Sequence, residues 1–254
     1  MKYVGHTTAL LAATVSKCCS LDWCALLVSL HLRVTKDGQS SVQGAYLTTL
    51  VTDVLKCCFN LQMLYLGQVG YVHSLGDFGN IVLGSQHCAQ LTIIGLEGFA
   101  CTLMNLQAAT QLTRVALHNL ESRQLPCKLL LPQNIQHADV TGSALFGLDR
   151  STFSGLSLTQ LGLGPGGSDW PLFASSARGL ATMPLLPSSL THLRLHRGRP
   201  PAAKTGFIDA CDWQCLNSCR ALQHLTLPVG YTLQGSLLQW VNAARQLYIV
   251  DHDC

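Results

Sequence analysis

Charge is scarce in this chain. Only 11% of its 254 residues are Asp, Glu, Lys or Arg, against about a quarter in an ordinary soluble domain. So little charge with 48% hydrophobic residues excludes a solvated, disordered chain. The formal net charge of +3 comes without any dense Lys/Arg run, so no nucleic-acid partner is expected. Long apolar runs are missing too. None reaches the ~20 residues of a membrane span, and no membrane partner is expected. None of the 12 cysteines forms a C-x-x-C pair, which removes zinc-ribbon and thioredoxin spacings. H-E-x-x-H, G-x-S-x-G and EF-hand loops are absent as well. The start has a short apolar core, Ala9 to Val15, with only Lys2 before it and no small-x-small site. That is a poor secretory signal, so a cytoplasmic or nuclear location with reduced thiols is expected.

What is present is a repeat. "LTHLRL" from Leu190 places leucine at the first, fourth and sixth positions, which fits neither a helical period nor strict alternation. The same spacing recurs as "LVSLHL" from Leu27, "LQMLYL" from Leu61, "LTIIGL" from Leu91 and "LTRVAL" from Leu112. "IQHADV" from Ile135, "LTQLGL" from Leu158, "LQHLTL" from Leu222 and, in part, "LYIVDH" from Leu247 continue it. The starts are 34, 30, 21, 23, 23, 32, 32 and 25 residues apart, and of the 27 key positions only His252 is not apolar. A second register runs with the first. Three residues before each start stand Cys24, Cys58, Cys88, Ala109, Pro132, Gly155, Pro187, Cys219 and Ala244. All are small or proline, as a tight approach into a strand requires.

These units resemble the leucine-rich repeat family, in its cysteine-containing variant, as "CCFNLQMLYL", "CAQLTIIGL" and "CRALQHLTL" show. The resemblance runs from about Ala25 to the C-terminus. It implies one α/β domain over residues 1–254: a curved solenoid with a parallel concave sheet and helices or turns on the convex side. Residues 1–24 would be the helical part of the first repeat, and 25–254 would hold eight or nine irregular repeats. Two departures stand out. Val69, Phe99, Leu120, Ser143, Gly166, Gly198 and Gly230 occupy the place of the family's Asn or Cys, so less regular turns are expected. Several intervals also exceed the family's usual 20–29 residues.

The long intervals have room for convex helices, in "AYLTTLVTDVLKCC" from Ala45, "FIDACDWQCLNSCRAL" from Phe207 and "GSLLQWVNAARQL" from Gly235. "GLGPGGSDWPLFASSARG" from Gly162 reads as an irregular loop. The chain stops at "VDHDC", on a strand and without a polar capping unit. The expectation there is a longer solenoid or an end covered by a partner.

Alternation along a strand turns the third, fifth and seventh positions of each unit out of the sheet. Six of the ten histidines then share one surface: His31, His118, His137, His192, His196 and His224. With Arg114 and Arg194 they make a face that becomes more cationic at mild acidity. Further toward the N-terminus, Met63, Tyr65 and Ile93 with Gly67 and Gly95 make an apolar patch. The candidate partner-binding residues are therefore Met63, Tyr65, Arg114, His118, His137, His192, Arg194, His196 and His224. A solvated strand face that binds nothing would carry the same residue types.

Chemistry is largely excluded. "GRPPAAKT", Gly198 to Thr205, misses the phosphate-cradling loop because Ala203 replaces its second glycine and two prolines remove N–H donors. Cys211, Cys215 and Cys219 fall on one helix face, but the outer two would stand about 12 Å apart, too far for one zinc ion. No catalytic residue, metal or cofactor is expected. The function that the resemblance implies is non-catalytic recognition of a protein partner on the concave face, as a scaffold, substrate receptor or adaptor. The alternatives are an extracellular receptor-type repeat domain and a nucleotide-binding or hydrolytic protein using the 198–205 loop.

Overall fold

In the computed structural model the described residues are 2–3, 26–35, 54–55, 57–69, 80–83, 88–97, 103–118, 128–142, 151–164, 185–196, 216, 219–228 and 246–250. The 198–205 loop, Cys211, Cys215 and most of the expected convex helices lie outside them. So do six of the seven positions of the missing Asn/Cys ladder.

Thirteen strands are described: β1 (Lys2–Tyr3), β2 (Ser29–Thr35), β3 (Met63–Val69), β4 (Asn80–Val82), β5 (Ile93–Glu97), β6 (Leu103–Asn105) and β7 (Arg114–His118). They continue with β8 (Lys128–Leu130), β9 (His137–Thr141), β10 (Gln160–Gly164), β11 (His192–Leu195), β12 (His224–Pro228) and β13 (Gln246–Val250). Ten of them form one sheet in the order β1-β2-β3-β5-β7-β9-β10-β11-β12-β13. Every pairing in it is parallel. β4, β6 and β8 form a second, three-stranded parallel sheet.

From β2 to β12, each strand of the large sheet begins at the third position of its unit. Leu64, Ile94, Val115, Ala138, Leu161, Leu193 and Leu225 lie in lateral register at the fourth. None is more than 3% exposed. The first positions of these units, and the sixth positions from Leu66 to Leu195, are buried beside them, and all join one core.

The small residues before each unit have the expected role at six places. The N–H groups of Leu61, Leu91, Leu112, Ile135, Leu190 and Leu222 donate to the carbonyls of Cys58, Cys88, Ala109, Pro132, Pro187 and Cys219, at 2.9 to 3.3 Å. Each is a tight turn with its first residue buried. Gly155 departs from this: it is exposed, a Cβ there would touch nothing, and its φ is +75°. Backbone conformation, not crowding, requires glycine at that position.

Four expectations change. The short strands β4, β6 and β8 stand between strands of the large sheet where helices or turns were expected. Only 21 residues separate Ile93 from its partner Arg114, and 23 separate Arg114 from His137. The interval that holds β4 is longer, 30 residues from Met63 to Ile93, and there too three extended residues cross about 10 Å where three helical ones would cover about 4.5 Å. Met104 of β6 and Leu129 of β8 enter the same core. Second, Lys2 and Tyr3, placed in an N-terminal helical part, pair with His31 and Leu32 as a strand. Third, the ninth unit starts three residues earlier than expected. His224 pairs with Gln246 and Leu225 with Leu247. Its third and fifth positions are then Gln246 and Tyr248, not Ile249 and Asp251, and the out-of-place His252 drops from the pattern. Gln246 and Leu247, assigned to a helix, are strand. Fourth, Gly162 to Gly164, read as the start of a loop, form the end of β10. The expected helix over 45–58 is seen at Val54, Leu55 and Cys57. No helix among the described residues is long and apolar enough to cross a membrane.

Candidate functional site

The site residues stand on a backbone ladder at the second position of each unit. The carbonyl of Val28 accepts the N–H groups of Gln62 and Met63, at 2.8 and 3.1 Å. The same fork repeats through the carbonyls of Gln62, Thr92, Thr113, Gln136, Thr159 and Thr191. Four threonine hydroxyls reinforce it: Thr92, Thr113, Thr159 and Thr191 each donate to the second-position carbonyl of the preceding unit, at 2.8 to 3.3 Å. The third-position residues from Met63 to His224 are thereby fixed in height and direction at the mouths of their strands.

That third row reads Arg114, His137, Gln160, His192 and His224 across five adjacent strands. Arg114, Gln160 and His192 are exposed, and His137 and His224 are half-buried. The His192 and His224 rings stack with centroids 4.1 Å apart and planes 13° from parallel. Thr191 Oγ1 lies 2.8 Å from His192 Nδ1. Its own hydrogen goes to the Thr159 carbonyl, so Nδ1 is the donor and Nε2 carries the lone pair of the neutral ring. Partial burial, then the neighbouring His224 and His137, hold His192 below the usual histidine range. Burial, then Arg114, does the same to His137.

A second group lies one row deeper. Asp139 of β9 and His196, just past β11, reach toward each other over β10, with Oδ1 and Nε2 2.9 Å apart. They meet because β10 has glycine at both outward positions beneath them. A Cβ on Gly162 would stand 2.5 Å from Asp139 Oδ1 and 2.9 Å from His196 Nε2. Burial alone would raise the Asp139 pKa. The contact with His196, with the charges of His196, His118 and Arg194, outweighs it and holds the carboxyl below its usual range.

A third group is separate, toward the other end of the sheet. Met63 is 41% exposed. The Tyr65 ring lies flat over Gly95, whose Cβ would stand 2.9 Å from Tyr65 Cε2, and its hydroxyl donates to Glu97. The His31 ring meets Tyr65 edge-on, with centroids 4.3 Å apart. This half is less apolar than expected, because the tyrosine is tied to a carboxylate.

The candidate residues thus divide. Arg114, His137, His192 and His224 share a row. His118, Arg194 and His196 surround Asp139. Met63 and Tyr65 stand apart from both. Among the described residues no three His, Cys, Asp or Glu side chains are grouped to hold a metal ion. No protein family, curated protein or solved structure matches the chain. Sequence reasoning missed Asp139 as a partner of His196, and it missed the second-position ladder. The signals were there: a double glycine, "LGLG" from Leu161, and Thr or Gln at seven of the eight second positions from Val28 to Gln223.

Proposed function

We propose that this chain is a non-catalytic protein-recognition module, a leucine-rich repeat solenoid that binds a partner on the concave face of its large sheet. Scaffold, substrate-receptor and adaptor roles in the cytoplasm or nucleus all use such a face. One observation carries the reading. Apolar side chains at the first, fourth and sixth positions are consumed by the core, while the open face collects Arg114, His137, His192, Arg194 and His224 on neighbouring strands. Burial accounts for the leucines but not for a basic row that makes no contribution to the core. The Asp139–His196 pair supports the same reading, since it orders the face around that row without needing a substrate.

Affinity capture with immobilised full-length chain tests it, with wild type beside an Arg194→Glu/His192→Glu variant. Both side chains are exposed, so the variant should fold. Partners recovered by wild type and lost by the variant are the expected result. Equal recovery by both removes the face from consideration.

A further inference from the structure

The charges on the open face define what it fits. β7 presents Arg114 and His118, β9 His137 and Asp139, and β10 Gln160 above Gly162 and Gly164. β11 and the residue after it present His192, Arg194 and His196, β12 presents His224 and Thr226, and Glu97 ends neighbouring β5. Two carboxylates face seven basic side chains, and both carboxylates are engaged: Asp139 by His196 and Glu97 by Tyr65.

We infer that this face binds an extended acidic segment of a protein, laid across the strands along Arg114, His137, Gln160, His192 and His224, and that the histidines take up protons as it binds. The inference rests on the recognition reading above. Four strand spacings of about 4.8 Å make the row about 19 Å long, the reach of about six extended residues at about 3.3 Å each. Carboxylates on alternate residues would meet Arg114 at one end and the histidine stack at the other. Gln160, between them, offers an uncharged donor. Single-stranded RNA is the poorer fit. The face has two permanent cations, Arg114 and Arg194, and a phosphate chain is held by several.

The proton coupling follows from the surroundings. Burial and basic neighbours keep His137 and His192 below the usual 6.5, so these two rings are mostly neutral on the unliganded face at neutral pH. A carboxylate nearby favours the protonated ring, so binding and protonation strengthen each other. At His192 the added proton goes to Nε2, because Nδ1 already donates to Thr191. Binding therefore tightens as pH falls below neutrality, until the ligand's own carboxyls protonate near about 4.3.

Fluorescence anisotropy on the full-length chain tests this with three labelled probes: an alternating Glu-Ser dodecapeptide, its Gln-Ser counterpart and a uridine dodecamer, each at pH 7.5 and 5.8. The Glu-Ser peptide should bind about tenfold tighter at pH 5.8, as one coupled proton gives over about one pH unit, and the Gln-Ser peptide should not bind. His137→Gln/His192→Gln should reduce the pH effect to about twofold or less, with weak binding kept at pH 7.5. Arg114→Gln should weaken binding at both pH values. Equal affinity for the two peptides, a pH-independent Kd, or tighter binding of the uridine dodecamer overturns the inference. If the Glu-Ser peptide fails while capture still depends on Arg194 and His192, the recognition reading stands and the acidic ligand falls.

Discussion

Replacing Gly162 by alanine separates a pair that reaches across a whole strand. The new Cβ would stand 2.5 Å from Asp139 Oδ1 and 2.9 Å from His196 Nε2. Both atoms are side-chain ends that can swing aside, so the methyl parts the pair rather than bending β10. Two energies oppose each other. Alanine is favoured over glycine in a strand by roughly 0.5–1 kcal/mol. The pair, with side chains 34% and 22% exposed, contributes roughly 0.2–1 kcal/mol. Global stability at neutral pH should therefore change by less than about 1 kcal/mol, and an unfolding midpoint is the wrong assay. The titration of Asp139 is the right one. In the wild type the contact with His196, together with the charges of His196, His118 and Arg194, outweighs burial and holds the carboxyl below the usual 3.8. Its stabilising contribution is present above that value and is lost as pH falls through the folded pKa. In the variant burial remains while the contact is gone, so the Asp139 pKa must rise. Carbon-13 NMR of the Asp139 carboxyl, from pH 6 downward, measures it directly. A midpoint that stays put or falls in Gly162→Ala would refute the bridging geometry.

Two further outcomes follow from packing and from the ladder. Leu193 is 1% exposed, so Leu193→Ala should cost about 2–5 kcal/mol in urea unfolding. Leu185, 45% exposed, should tolerate the same change within about 0.5 kcal/mol, and equal effects would place the core elsewhere. Thr191→Val keeps the shape but deletes the hydroxyl that donates to Thr159 and accepts from His192, so it should cost roughly 0.5–1.5 kcal/mol by the same assay. No loss would mean that the ladder hydroxyls only decorate a backbone that holds itself.

The strands of the large sheet from β2 to β12 were legible because burial acts on every unit alike. An apolar residue at the fourth position must enter the core or the sheet opens there, so the spacing survives intervals from 21 to 34 residues. The ninth unit was misplaced for a reason in the same pattern. Leu247 fits the first position of one register and the fourth of another, and only pairing with Leu225 decides between them. His252 in an apolar place was the sign of the error. β1 was invisible because two residues carry no period. β4, β6 and β8 were hidden by their own length: three residues are too few to show alternation.

The lateral contacts on the open face were hidden for a different reason. A repeat pattern assigns each residue a row and a strand, but not the distance its side chain reaches. Reach depends on what the neighbouring strand leaves vacant. Gly95 lets Tyr65 lie across β5 toward Glu97, and Gly162 with Gly164 lets Asp139 and His196 join over β10. In both places glycine at an outward position turns side chains down along the sheet and pairs a carboxylate with a donor. The third row has no glycine from Ser29 to His224. Its side chains are spaced by their own neighbours, and its basic groups face outward, while both carboxylates of the face lie in the fifth and seventh rows, Asp139 against His196 and Glu97 against Tyr65. A partner approaching the face meets that row first, and this is why the proposed acidic segment is placed along Arg114 to His224 and not along the deeper rows.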